Sequence, residues 1–302
     1  MSTSANSTDW DSYSAEFGPD SSYDRGANRR HGLGDARTSV ISVTSGKGGV
    51  GKTTLVINLA LQLAKSGKRV LILDGDLGMA NVDIMFGVRA ERTILDIVKG
   101  EADISEVLLE VSRNVTLIPG GSGIFDLQNL SVFEKQALLD QVSALGPSYD
   151  VMLIDTAPGI DDNVLYLNNA AQEICVVVTP DPASLADSYA LIKVLHQRCR
   201  ENRFSVICNQ VKDEADGRKI FERLDSVAAK FLHVSLDYLG GIPADPILRQ
   251  ATRSAQIVSR AYPEAPSSRA ISQLSQRFRG CGAVQECKGS LQFFWEQLVR
   301  LA

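Results

Sequence analysis

Apolar residues along the chain gather into short, nearly continuous runs, separated by longer stretches that are apolar on one side only. The runs cover 40–43, 70–73, 115–118, 151–154, 174–178, 204–208 and the segment around 239–242. They are rich in Val, Ile and Leu and too short for helices, as strands buried on both faces are. Between them, 53–65, 132–145, 185–198 and 218–231 carry apolar residues at helical spacing. Strands alternating with helices predict an α/β fold: a single doubly wound, mainly parallel sheet with helices on both faces. This domain spans 39–279, followed by a short linker and a last helix within 280–302.

Residues 1–38 lack any such period and are rich in Ser, Asp, Gly and Asn. That composition cannot bury enough apolar surface to offset chain entropy, so a disordered tail is expected. It contains Trp10, Tyr13, Phe17 and Tyr23, which fit either a short docking motif or a solvated leader.

The first strand runs into Gly46-Lys47-Gly48-Gly49-Val50-Gly51-Lys52-Thr53, which satisfies G-x-x-x-x-G-K-[ST] just before a helix. Average residue usage gives the bare pattern in a chain this long about one time in a hundred, and the strand–helix context lowers that further. Glycines let backbone N–H groups approach phosphates, and the helix N-terminus adds a favourable dipole. Lys52 is expected on the β- and γ-phosphates, Thr53 on Mg²⁺, and Thr54 on the α-phosphate. Two other strands end in acids. Asp155 closes 151–154 and suits Mg²⁺, and Gly159 beyond it can offer its N–H to the γ-phosphate. Asp76 follows 70–73 at the edge where ligands bind; it is expected to orient the attacking water and to face the metal. The chain has no Asn-Lys-x-Asp guanine reader, so ATP is expected over GTP, with Asn209 and the turn Pro243-Ala244-Asp245 holding adenine.

The loop with two lysines, Lys47 and Lys52, resembles the deviant Walker A motif of the MinD/ParA ATPases. Asp74-Gly75-Asp76-Leu77-Gly78-Met79-Ala80-Asn81-Val82-Asp83 is similar to the switch I segment of their FlhG (FleN) branch. Further similarity runs through 179–193 and 241–245, and Gly289-Ser290-Leu291-Gln292-Phe293-Phe294-Trp295-Glu296-Gln297-Leu298-Val299 resembles that branch's C-terminus. The resemblance implies an ATP-dependent homodimer in which Lys47 reaches the partner's phosphates, with Asn81 joining the nucleotide site. It implies a switch controlling flagellar number and placement, with FlhF, C-ring components or the transcription regulator FleQ as partners. An Asp-Gln-Ala-x-x-Leu-Arg element common in that branch is absent from 1–38, which leaves stimulation of FlhF by this tail without a sequence basis. Division-site regulation of the MinD kind and DNA partitioning of the ParA kind are the alternatives.

As a helix, the last segment gathers Leu291, Phe294, Trp295, Leu298, Val299 and Leu301 on one arc, with Phe293 off it. At about 18 Å it is too short for a bilayer core of about 30 Å. It is expected to lie in the membrane interface, the alternative being a helix docked on its own domain. No stretch of the chain reaches the length of a membrane span and no signal peptide is visible, so a cytoplasmic protein bound peripherally to the inner membrane face in its ATP state is expected.

Charge and cysteines narrow the function classes. A net charge of -5 does not advertise a DNA-binding face, so no direct nucleic-acid partner is expected. Five scattered cysteines, the first at Cys175, read as reduced thiols. They lie away from the switch segments, which sets aside an iron–sulfur electron-transfer ATPase.

Overall fold

A computed structural model describes residues 38–76, 81–120, 131–143, 145, 148–278 and 291–301. The tail before residue 38, part of the switch segment, Cys281, Cys287 and the linker ahead of the last helix lie outside the described residues.

Eight strands form one sheet: β1 (Ser39–Thr44), β2 (Val70–Gly75), β3 (Leu109–Ser112), β4 (Val115–Ile118), β5 (Val151–Thr156), β6 (Glu173–Val178), β7 (Arg203–Val211) and β8 (Ser235–Pro243). Their order is β3-β4-β2-β5-β1-β6-β7-β8, and every pairing is parallel except β3 with β4. The helices are α1 (Lys52–Lys65), α2 (Val82–Phe86), α3 (Ile94–Val98), α4 (Ile104–Val107), α5 (Val132–Ser143), α6 (Asp162–Ala170), α7 (Pro182–Cys199), α8 (Glu214–Phe231), α9 (Pro246–Arg253), α10 (Val258–Ala261), α11 (Pro266–Phe278) and α12 (Leu291–Leu301). The seven expected strands are all present. β3 is added, a short antiparallel edge whose exposed Glu110 interrupts the apolar run that marks the others.

Strand residues alternate between two cores, as the pleat requires. Val70, Ile72, Val151 and Leu153 join α1 and α11 on one face, while Leu71, Leu73, Met152 and Ile154 face the opposite side. From β1 the chain steps outward to β2 and on to the edge at β3, returns through β4 and β5, and continues on the other side through β6, β7 and β8. The carboxyl end of β1 is therefore the switch point where ligands of such sheets bind.

The last helix takes the docked form, the alternative to an interfacial one. Its arc is not open for a membrane: Leu291, Phe294, Trp295, Leu298 and Val299 are buried against α5, α6 and β1. Periodicity found the apolar face but could not identify what covers it. The covering surface is supplied by α5, α6 and β1, whose Val40 and Leu167 lie in the same core and are brought together from distant segments by the sheet. Phe293, off the arc, is half-buried. No helix among the described residues is long and apolar enough to cross a membrane. Cys175, Cys199 and Cys208 form no disulfide among the described residues.

Candidate nucleotide site

The loop from Ser45 to Gly51 joins buried β1 to α1. Gly46 must be glycine because a Cβ there would lie 2.2 Å from the Asp187 carbonyl carbon in α7. Gly51 caps α1 at φ 92°, and a Cβ on it would meet Asn209 Nδ2 at 2.6 Å. Gly48 and Gly49 are open to solvent, and Val50 is buried beneath them. Lys52 is the buried lysine of the loop, and its Nζ donates to Ser45 Oγ at 2.9 Å. Burial lowers its pKa against the opposing pull of Asp155 and Asp76.

Opposite Lys52 stand carboxylates from two adjacent strands, with Asp74 in register with Asp155. Burial raises Asp155 to about 7, while the Thr53 hydroxyl hydrogen bond and Lys52 oppose the shift. One of its oxygens, Oδ1, is buried without any hydrogen-bond partner. A native structure leaves few such groups, and each calls for a ligand or a cost. An unpartnered carboxylate oxygen beside the Thr53 hydroxyl is the hard-oxygen donor set that suits Mg²⁺. Among the described residues no three His, Cys, Asp or Glu could hold a metal by themselves, which is the pattern for a cation completed by phosphate oxygens and water.

Asp74 was missed in the sequence. It is buried, raised to about 6 chiefly by burial, and accepts hydrogen bonds from the backbone N–H of Asp76 and Val82, each at 3.2 Å. It thus clasps both ends of the segment that carries Asp76 and Asn81. The available signal was a charged residue inside the apolar run of β2. Asp76 is half-buried at the cleft, and Asn81 is exposed at the start of α2.

Other expected residues are occupied elsewhere. Lys47 is exposed and ion-paired with Asp181, whose carboxylate also caps α7 by accepting from Ala183 N. Gly159, expected to face a phosphate, donates its N–H to the Ser45 carbonyl at 3.0 Å. The base end is a cavity of about 470 Å³ lined by Gly51, Thr54, Asn209, Gln210, Pro243, Asp245, Arg249 and Arg253, among others. Here two expected adenine readers serve the fold. Asn209 donates to the Val50 carbonyl at 2.7 Å and accepts from Gln210 N at 2.9 Å, bracing the phosphate loop. Asp245 accepts from Ile247 N at 2.8 Å and from Ser267 N and Oγ at 3.1 and 2.7 Å, capping α9 and α11 together. Burial pushes its pKa up, but these hydrogen bonds win and hold it below the ordinary carboxylate value. The polar groups left to address a base include Gln210, Arg249 and Arg253, which sequence reasoning did not single out.

A family model described as an AAA domain matches residues 38–205. Antiactivator FleN of Pseudomonas aeruginosa is 40% identical over 261 residues, covering 86% of this chain and 93% of that protein. Flagellum site-determining protein YlxH of Helicobacter pylori is 35% identical over 87% of this chain and 90% of that one. Among solved structures, septum site-determining protein MinD complexed with Mg-ADP from Pyrococcus horikoshii aligns with a TM-score of 0.64 at 26% identity, over 82% of this chain and 98% of that one. With its two-lysine phosphate loop and acidic strand ends, the chain belongs to the MinD/ParA-type ATPases, in the branch that contains FleN and YlxH.

Proposed function

We propose that the protein is an ATP-driven, dimerising switch that sets flagellar number and placement, hydrolysing ATP to ADP and phosphate with Mg²⁺. The observation that carries the chemistry is the buried, unpartnered Asp155 Oδ1 beside Thr53 and Lys52. Its relation to Antiactivator FleN and to Flagellum site-determining protein YlxH supports the flagellar role.

In this reading the backbone of Gly46 to Gly51 cradles the phosphates, and Lys52 leaves Ser45 for the β- and γ-oxygens. Thr54 meets the α-phosphate. Thr53, Asp155 and Asp76 hold Mg²⁺, which when bound neutralises charge on the phosphates. Asp76 orients the water that attacks the γ-phosphorus, with the bond to the β–γ bridging oxygen breaking. Asn81 and Gly159 report the γ-phosphate, the latter by giving up its bond to Ser45. Lys47 leaves Asp181 and reaches the phosphates of a second copy.

Flagellar proteins such as FlhF, C-ring components or FleQ are the proposed partners. The proposed location is the cytoplasm, moving to the inner membrane face when ATP is bound. Docked α12 is then the resting form, and release exposes it to lipid. Trp295 supports this: its indole N–H is buried with no acceptor, and an interface would satisfy it. Holding α12 down are five buried apolar side chains, each worth about 1.5–3 kcal/mol when fully buried.

Counting flagella in cells lacking the gene tests the biology; unchanged flagella with misplaced division would favour the MinD role. The chemistry is tested by Asp76→Ala, which is expected to keep ATP-dependent dimers on size exclusion while losing phosphate release. Normal turnover, or a monomer, removes Asp76 from its role.

A further inference from the structure

The charge of the protein is unevenly spread. Lys65, Arg113, Arg249, Arg253 and Arg260 are all exposed, and none is ion-paired among the described residues. They form a connected band. Arg249 and Arg253 line a hollow of about 430 Å³ with Pro246 and Gln250. Lys65 and Arg113 line a second hollow of about 380 Å³ with Ser112 and Asn114. Between them, α10 packs on α1 and α9, and its Arg260 donates to Ser112 Oγ at 3.1 Å. Neither hollow is lined by a carboxylate.

We propose that this band is a docking surface for an acidic segment of a partner protein. The band is mostly arginine, with Ile247 exposed on α9 and Tyr262 exposed just past the end of α10. Arginine beside exposed aromatic and aliphatic side chains is the composition of protein interfaces, where guanidinium forks pair bidentately with carboxylates. Two other anionic partners fit less well. Taking these five cations from a chain of net -5 leaves -10 on the rest, which repels an extended polyanion such as duplex DNA more than a short acidic segment. A membrane is disfavoured by position, because α1 and α11 cover the sheet face opposite the one that α12 covers. Arg249 and Arg253 also line the nucleotide cavity, so the bound segment and the nucleotide draw on the same two guanidinium groups. The surface itself does not depend on the ATPase reading.

The test uses the full chain and a fluorescein-labelled synthetic peptide of glutamate pairs interleaved with leucine and tyrosine, read by anisotropy. Random-sequence duplex DNA and phosphatidylglycerol vesicles are the comparison probes. Saturable peptide binding is expected, weakened about tenfold by Lys65→Glu with Arg113→Glu, and as much by Arg249→Glu with Arg253→Glu. Lys219→Glu, an exposed charge on α8, should change nothing. Lys65 and Arg113 lie outside the nucleotide cavity, so ATP turnover in that pair separates failure of docking from failure of the ATPase reading. Peptide binding that is absent, or indifferent to both reversals, overturns the proposal. So does tighter binding of DNA or vesicles that the same reversals abolish.

Discussion

The two ends of the nucleotide cleft are built on opposite terms. At the phosphate end, side chains are buried with their bonding unfinished: Lys52 has only a serine hydroxyl, and Asp155 keeps an oxygen with no partner. At the base end the expected readers are already engaged, Asn209 with the loop and Asp245 with two helix starts. A buried charge without a full set of partners costs stability until a ligand arrives. A capped helix start gains stability with no ligand at all. The phosphate end is thus preorganised for its ligand, and the base end for the fold.

Removing charge at the phosphate end should have the largest effect. Lys52→Ala deletes the buried cation that faces the carboxylates, and ATP affinity is expected to fall by about 100-fold or more. Titration with a fluorescent ATP analogue checks this; near-parent affinity would mean the loop does not bind phosphate.

The unfinished bonding at Asp155 predicts a pH signature in the ligand-free protein. Its folded pKa of about 7 lies above the ordinary 3.8, so folding favours the protonated form. The stability this contributes is present below 3.8 and lost as pH rises through 7. Tm should therefore fall between pH 5 and 8. Asp155→Asn, permanently neutral, should leave Tm at pH 5 nearly unchanged and raise stability at pH 8 by about 2 kcal/mol. Asp74, at about 6, keeps part of the slope with the same sign. A variant that is less stable at pH 8 would mean the carboxylate is satisfied without ligand.

The base end should respond the other way. Asp245→Ala removes the acceptor for α9 and α11, with an expected loss of about 1–2 kcal/mol in urea unfolding. ATP affinity of the folded variant should change by less than about threefold, because the carboxylate is not free for the base. A large loss of affinity with unchanged stability would return Asp245 to the role expected from sequence.

That contrast also marks what the sequence made legible. Strands buried on both faces and the phosphate loop are local patterns, so β1 through the start of α1 can be read directly. Asp245 and Asp76 look alike in sequence, each an acid at the edge of an apolar segment. Only the fold brings Ser267 to one and sets the other within electrostatic reach of Lys52 and Asp155. The apolar arc of α12 was legible for the same local reason, whereas its partner surface on α5 and α6 is a tertiary fact. The role of Asp74 was hidden because its hydrogen-bond donors, the N–H groups of Asp76 and Val82, belong to backbone whose course no side-chain pattern reports.

The smallest expected effect concerns Lys47, a side chain of the phosphate end that is held as the base end is. Its ammonium rests on Asp181, and that hydrogen bond raises its pKa. Lys52 supplies the charge within the protomer, so breaking this pair should leave ATP affinity alone. Asp181→Asn keeps an oxygen to accept from Ala183 N, so the cap of α7 and the Tm should be unchanged. On the proposed dimer reading, what the substitution removes is the anion that holds Lys47 within its own chain. An exposed ion pair is weak, so dimers should form with ATP at roughly threefold lower protein concentration. Raising salt should bring the parent toward the variant, since screening weakens the same pair. Sedimentation velocity with ATP across a dilution series measures this. If Asp181→Asn dimerises less readily than the parent, Asp181 serves the dimer itself, and its bond to Lys47 within one chain is not a restraint.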